Sequence, residues 1–215
     1  MADRRIRSAL SRPRRAAPSS HRGAAPAIAL AVVAALGCAA SILADWPGHF
    51  PPDALSQLAQ GKAGVFNGWH PPVMAWLLGL FDSALPGTGL FLLFVMLLLF
   101  TAWLLLLRSA WPGWVIVIIL VLIFATPQLV LYQGTIWKDV LFANAGIVGF
   151  AVMAAAAARW RAPHARFALL SLSALLLSLG ALARQNGFVL LPIAAMCLGV
   201  IAARQQSRRE GWRYG

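Results

Sequence analysis

The chain has 215 residues, of which 60% are hydrophobic and only 11% are charged, and its formal net charge is +12. A soluble domain of this length would need a much larger share of charged surface, so the composition indicates a polytopic membrane protein. The basic residues stand in short clusters between long apolar runs rather than along one face, which argues against nucleic acid as a partner.

Six apolar stretches approach the length of about 20 residues that a helix needs to cross a bilayer. They are Pro26–Ala44, Thr88–Leu107, Trp114–Tyr132, Val140–Ala158, Phe167–Ala183 and Phe188–Ala203. The run Pro71–Phe81 is too short to cross and is closed by Asp82 and Ser83. The sequence therefore predicts an all-α fold, a polytopic transmembrane helical bundle of about six spans with external juxtamembrane helices in its first loop.

The basic residues predict the orientation of these spans. With a cytoplasmic N-terminus, 15 of the 18 basic residues fall on the inner side, and only Lys62, Lys138 and Arg184 stay outside. This asymmetry follows the positive-inside rule, so we expect both termini to be cytoplasmic. The expected parts are a basic arm (1–25), a six-span membrane domain (26–203) with an external loop (45–87), and a basic cytoplasmic tail (204–215). The alternative, cleavage after the first span as a signal peptide, fits poorly because the apolar run is longer than a usual signal core.

Two aspartates of the external loop are candidate catalytic residues. Asp53 follows two prolines in "PPDALSQLAQG", where it suits the N-cap of a short interfacial helix whose apolar face is Leu55, Leu58 and Ala59. The same carboxylate at the membrane surface is placed to act as general base on an acceptor hydroxyl. Asp45, at the end of the first span, is the rival candidate.

Five further residues on the predicted outer side are candidate substrate-binding residues. Lys138 and Asp139 begin the fourth span, where the helix dipole repels an ammonium group unless an anion such as phosphate is bound. Arg184 and Asn186 lie in the tight link "LARQNGF", and an arginine there suits bidentate phosphate binding. His70 precedes two prolines, which fix its backbone in an extended conformation at the mouth of the loop. The alternatives are snorkelling for the cations and interfacial anchoring for the histidine.

The sequence gives no strong signal for a metal or another cofactor. Cys38 and Cys197 both lie inside apolar runs without paired spacing, so we expect them to pack rather than to form a disulfide or a metal site. No spacing of histidine and acidic residues resembles a metal signature, although a divalent metal is not excluded. We therefore predict no metal ligands and no cofactor.

Taken together, these motifs resemble the GT-C superfamily of membrane glycosyltransferases, in the branch of bacterial polytopic proteins related to protein O-mannosyltransferases. The resemblance rests on "PPDALSQLAQG…WHPPVMAWLLGLF", supported by "GTIWKDVLFA" and "RQNGFVLLP", and covers about 45–192. It implies transfer of a sugar from a polyprenyl-phosphate donor to an acceptor on the outer side of the bacterial cytoplasmic membrane, with membrane lipid and that donor as partners. By this resemblance Asp53 would deprotonate the acceptor, Lys138 and Arg184 would hold the lipid phosphate, and His70 would shape the pocket.

The chain also departs from that family, and two other functional classes remain open. Such enzymes usually have more spans and often a soluble C-terminal domain, so the short chain would be a minimal or truncated form, or would act with a membrane-protein partner. One alternative is a transporter or flippase for an anionic lipid-linked or small substrate. It is disfavoured because transporters place polar groups near the bilayer midplane and these spans are nearly free of charge. The other is a non-catalytic membrane assembly subunit.

Overall fold

A computed structural model of the protein describes residues 24–107, 118, 122, 126 and 131–211. Over these residues the chain is helical and forms no β-strand, apart from one isolated bridge between His49 and Thr135, so the prediction of an all-α fold is confirmed. The helices are α1 (Ala24–Asp45), α2 (Pro52–Ala63), α3 (Pro72–Ala84), α4 (Gly89–Leu107), α5 (Lys138–Ala158), α6 (Pro163–Ala183), a 3₁₀ helix (Gly187–Val189) and α7 (Leu190–Gly211).

Four segments of the described chain are long and apolar enough to cross a membrane. They are Gly89–Leu106, Lys138–Ala158, Pro163–Ala183 and Gly187–Ser207, and each coincides with a predicted span. The first predicted span lies within α1, where the described residues give a shorter apolar stretch, Ala31–Asp45, that is not among these four. The composition and these helices together mark the protein as a membrane protein.

Several sequence predictions fall on residues outside the described part of the chain. The predicted span Trp114–Tyr132 lies mostly there, as do nearly all of the basic arm (1–25) and the end of the tail (212–215). The total of six spans and the orientation of the termini therefore stay predictions.

Helix α5 lies at the centre of the described bundle and α7 at its edge. In the span of α5, 61% of the residues are buried, against 6% in the span that contains α7. Small residues allow the close packing of α5, since a Cβ atom added at Gly149 would meet the side chain of Leu177 on α6 at 2.7 Å. Ser173 of α6 donates a hydrogen bond of 2.8 Å to the Gly149 carbonyl oxygen, which fixes the same crossing. Helix α4 packs against α5 and also against α1.

Helices α2 and α3 form a closely packed pair that runs in the same general direction. Asp53 contacts His70 at the start of the pair, and Lys62 contacts Asp82 at its end. Residue numbers therefore increase in the same direction along both helices. In between, Cβ atoms added at Gly61 or Gly79 would collide with the backbone of the facing helix. Glycine at this crossing therefore brings the two backbones together, as small residues do where helices approach closely.

The loop between α2 and α3 returns the chain to the starting end of the pair. Helix α2 ends at Ala63 because Gly64 takes a left-handed conformation with φ of 67°. The eight residues 64–71 then run back along α2, where the side-chain oxygen of Gln60 accepts a hydrogen bond from the Asn67 amide at 3.4 Å. Pro71 and Pro72 start α3 as the sequence predicts, which places His70 beside the first turn of α2.

Candidate functional site

Three helices begin at one place in the structure and bring three predicted site residues together. Asp53 lies in the first turn of α2, His70 directly precedes the prolines that start α3, and Lys138 is the first residue of α5. The N-terminus of a helix carries a partial positive charge and amide groups without intrahelical acceptors. We call Asp53, His70 and Lys138 the charged cluster.

His70 stands between the other two members of the charged cluster. Its Nδ1 atom lies 3.0 Å from Lys138 Nζ, and its Nε2 atom lies 3.9 Å from Asp53 Oδ2. A lysine ammonium group has only donors, so Nδ1 accepts this hydrogen bond and the ring proton sits on Nε2, facing Asp53. The His70 side chain is only 11% exposed, whereas the Asp53 side chain is 53% exposed. The cluster therefore presents an open carboxylate on one side and a fixed ammonium group on the other.

The prediction that Asp53 caps α2 is wrong. Pro51 occupies the N-cap position, no side chain caps the helix, and Asp53 falls within the first turn. The reason is that Pro52 has the fixed φ suited to the first helical position, which moves the helix start ahead of the aspartate. Asp53 still benefits from the positive end of the helix while its carboxylate is left free to face His70.

Asp139 and Arg184, also predicted site residues, form an ion pair next to the charged cluster. Arg184 Nε lies 2.9 Å from Asp139 Oδ1, and the guanidinium carbon lies 5.7 Å from the centre of the Phe142 ring. Their side chains are 40% and 35% exposed, respectively. Arg184 thus has a carboxylate partner and an aromatic face in this structure, and its partner Asp139 is the residue next to Lys138 on α5.

The link that contains Arg184 and Asn186 also closes one side of an open surface cavity. Gln185 donates a hydrogen bond of 3.3 Å from Nε2 to the Trp69 carbonyl oxygen, which ties the link to the loop before α3. Asn186 is exposed and precedes the 3₁₀ helix without capping it. The cavity has a volume of about 400 Å³ and is lined by Phe66, Asn67, Gly68, His70, Pro71, Pro72 and Gln185. Sequence reasoning missed Gln185, whose only signal was its position between two predicted site residues.

Asp45, the rival catalytic candidate, lies in a different group. Its Oδ1 atom lies 3.2 Å from His49 Nε2, and its carboxylate packs against the backbone at Gly134. A second open cavity, of about 410 Å³, is lined by His49, Leu131, Tyr132 and Thr135. The structure therefore separates the two candidate carboxylates, with Asp53 beside His70 and Asp45 beside His49, a histidine that the sequence analysis did not select.

Buried amide side chains form a further polar feature that the sequence analysis missed. Asn144 of α5 is fully buried and donates from Nδ2 to the Val95 carbonyl oxygen at 3.0 Å and to Gln133 Oε1 at 2.9 Å. Gln57 is 1% exposed, and neither of its amide atoms has a partner among the described residues. Gln57 lies one turn beyond Asp53 on α2, on the same side of that helix. The burial of Asn144 and Gln57 depends on which helices pack around them. For this reason no sequence pattern marks either residue.

Among the described residues, no group of three or more histidine, cysteine, aspartate or glutamate side chains is arranged to hold a metal ion. The charged groups of the site are instead paired with one another, as His70 with Lys138 and Asp139 with Arg184. These features define the protein as an all-α protein with apolar helices of membrane-spanning length and a polar cluster at converging helix ends. Comparison of the chain with protein-family models, with curated proteins and with solved structures gives no match.

Proposed function

We propose that the protein transfers a sugar from a polyprenyl-phosphate donor to an acceptor hydroxyl group at the outer surface of the bacterial cytoplasmic membrane, as a GT-C-like enzyme. The observation that supports the proposal most directly is the charged cluster, in which Lys138 lies at the start of α5 with its ammonium group fixed by His70. Residues from two of the motifs that resemble GT-C enzymes thus meet in space, although Asp53 and Lys138 are 85 positions apart in the sequence.

The donor phosphate would bind at the start of α5. The Lys138 ammonium group has three N–H donors, of which His70 uses one, so two are available to phosphate oxygens. The first amide groups of a helix point outward without intrahelical acceptors, and the helix dipole favours an anion there. The same interactions become stronger as negative charge develops on the departing phosphate, which is the condition for lowering the barrier to transfer.

Arg184 would complete this phosphate site from the neighbouring link. Its ion pair with Asp139 holds the guanidinium group beside the first turn of α5. Because a guanidinium group has five N–H donors, pairing with one carboxylate oxygen leaves donors for a phosphate. Transfer also requires a group that accepts the proton of the acceptor hydroxyl. The resemblance gives this role to Asp53, with Asp45 as the second candidate.

The experiment compares the chain's two lysines in the full-length protein, purified into lipid nanodiscs and supplied with radiolabelled polyprenyl-phosphate hexoses. Lys138→Ala removes the proposed phosphate ligand and should lower sugar transfer by about 100-fold or more, as loss of one transition-state donor does. Lys62→Ala is the matched control, because Lys62 pairs with Asp82 at the other end of α2 and α3. Its transfer activity should equal that of the wild type.

Three results would contradict this function. Equal activity of the Lys138→Ala and Lys62→Ala variants would remove Lys138 from the site. Donor binding and movement across the bilayer without transfer to any acceptor would favour the transporter or flippase. Absence of donor binding by the wild-type protein would favour the non-catalytic subunit.

A further inference from the structure

Away from the charged cluster, His49 and Asp45 form a second polar site, in which a histidine and a carboxylate are in direct contact. His49 Nε2 lies 3.2 Å from Asp45 Oδ1, and the two residues are four positions apart where α1 ends. The Asp45 side chain is 13% exposed and the His49 side chain 60% exposed. The carboxylate is therefore enclosed by protein, while the imidazole reaches the surface.

The backbone around this pair is held in place on both sides of His49. The His49 amide donates to the Gly134 carbonyl oxygen at 2.9 Å, and the His49 carbonyl oxygen accepts from the Ile136 amide at 3.0 Å. A Cβ atom at position 134 would collide with the Asp45 carboxylate, so glycine is needed there for the carboxylate to keep its position. The imidazole is thus oriented by its own backbone and by its carboxylate partner, which is the arrangement that a catalytic histidine requires.

The contact with Asp45 determines which ring nitrogen of His49 is basic. A carboxylate only accepts hydrogen bonds, so the proton of the neutral ring is on Nε2 and donates to Asp45. The structure gives Nδ1 no hydrogen-bond partner within the described residues, and its lone pair is therefore free to accept a proton. An enclosed carboxylate also stabilises the imidazolium ion once it forms, without taking up the proton itself.

The cavity beside His49 has the lining expected for a hydroxyl-bearing ligand. Leu131 and Tyr132 provide apolar and aromatic surface, while Thr135 and His49 provide polar groups. Tyr132 is 54% exposed, and its ring lies 6.1 Å from the ring of Trp137, centre to centre. Such a mixture of apolar walls with a few convergent polar groups is typical of small-ligand sites.

This cavity lies close to the charged cluster. His49 is bonded to the backbone of Ile136, and only Trp137 separates Ile136 from Lys138. Two residues of extended chain span at most about 7 Å, so the backbone at Lys138 lies within that distance of the backbone at Ile136, which holds His49. The same short segment therefore carries Thr135, which lines the cavity, and Lys138, which belongs to the charged cluster.

We propose that His49, oriented by Asp45, is the proton acceptor for the acceptor substrate, a sugar hydroxyl group bound in the cavity formed with Tyr132 and Thr135. The proposal rests on the function proposed above. His49 Nδ1 takes the hydroxyl proton as the acceptor oxygen forms a bond to the anomeric carbon of the donor sugar. The bond between that carbon and the phosphate oxygen breaks, and the polyprenyl phosphate leaves with the bonding electron pair. The imidazolium ion then releases its proton to water at the exposed edge of the ring.

The first test measures sugar transfer and donor binding separately, with the full-length protein in nanodiscs. His49→Gln should lower kcat by about 100-fold or more, the usual contribution of a general base. Its affinity for farnesyl phosphate, the donor probe, should equal that of the wild type. His164→Gln is the matched control, because His164 is an exposed residue in the first turn of α6, and it should keep full activity. Methyl glycosides and short serine-containing peptides are offered in parallel as acceptors.

The outcomes of this test separate the two proposals. Full activity of His49→Gln with loss of activity in Lys138→Ala would overturn the role of His49 and leave the proposed function standing. The same would follow if Asp53→Asn abolished turnover at unchanged donor affinity while His49→Gln remained active. Transfer to peptides but not to glycosides would overturn the sugar acceptor. A wild-type protein that binds farnesyl phosphate but transfers to neither acceptor would overturn both.

The second test measures the position of the ring proton of His49, which does not require any turnover. In spectra of protein labelled with ¹⁵N-histidine, with the His49 signals identified by their loss in His49→Gln, His49 should carry its proton on Nε2 and have a bare Nδ1. Asp45→Asn should abolish this preference and lower kcat while farnesyl phosphate still binds. A proton on Nδ1 of His49 in the wild-type protein would refute the proposed orientation.

Discussion

The crossing of α2 and α3 gives the sharpest prediction, because two glycines there control the position of the charged cluster. A Cβ atom at Gly61 would collide with the Ala75 carbonyl oxygen, and one at Gly79 would collide with the Gly61 backbone. A carbon and an oxygen in contact stand about 3.3–3.6 Å apart, so Gly61→Ala requires the helices to separate by roughly 1 Å. Both obstacles are backbone atoms of a helix, which cannot rotate away as a flexible side chain can.

The expected cost combines two opposing effects. Alanine is favoured over glycine within a helix by about 1 kcal/mol. Overpacking of a close contact costs about 1–3 kcal/mol, and a rigid obstacle favours the upper part of that range. Gly61→Ala should therefore lower the free energy of unfolding by about 1–2 kcal/mol, taken as the difference of these two effects. Because the charged cluster includes residues at the starts of both helices, with His70 holding Lys138, transfer activity should also fall, by about 100-fold for a misplacement of 1 Å.

The assay compares thermal unfolding and sugar transfer in nanodiscs for Gly61→Ala and a matched control. Gly199→Ala is that control, because Gly199 also lies within a helix, α7, but has no atom within 4 Å of an added Cβ. It should be as stable as the wild type or more stable. If Gly61→Ala unfolds at the same temperature as Gly199→Ala, the close crossing is refuted, and with it the reason why Asp53 meets His70.

The remaining predictions concern a buried amide and an ion pair. Asn144→Ala removes both hydrogen bonds that this buried amide donates and should cost about 1–3 kcal/mol of unfolding free energy, whereas the exposed Asn186→Ala should be neutral; equal stability of the two variants would contradict the buried network. The hydrogen bond from the Gly87 amide, and then the contact with Lys62, lower the pKa of Asp82 below its ordinary value. Stability from Asp82 is therefore fully present above the ordinary pKa and is lost as the pH falls through the lowered one. Asp82→Asn should unfold at a lower temperature than the wild type at pH 7 and at the same temperature in strong acid; a difference that persists in acid would contradict this assignment.

Much of the helical framework could be predicted from the sequence because it depends on local properties. Long apolar runs form helices wherever backbone groups have no water to bond, so four of the predicted spans coincide with helices of sufficient length and hydropathy. Proline fixes its own φ, and for that reason the start of α3 at Pro72 was predictable. The same rule, applied at Pro52, also explains why the predicted cap at Asp53 was wrong.

The faces of the helices were harder to predict, and α2 shows why. Leu55, Leu58 and Ala59 were expected to form its apolar face, yet Leu55 is 62% exposed, whereas Ala54 and Gln57 are buried. The inward side of α2 is the side that carries Gly61, because only glycine permits the close approach to α3. The packing partner decides which face is buried, and no pattern within twelve residues contains that information.

The sequence by itself determined the class of the protein, the helical segments and the polar residues on the predicted outer side that are capable of catalysis or binding. These follow from composition, from apolar length and from charge, each of which is a property of one segment. Only the tertiary structure decided that His70 lies between Asp53 and Lys138, and that Asp45 belongs with His49 rather than with them. Such groupings depend on the return of the 64–71 loop along α2 and on the backbone bonds between His49 and the segment before α5. Contacts between distant segments are set by the packing of whole helices. For this reason only the folded chain reveals that His49 contacts Asp45 and lines a cavity.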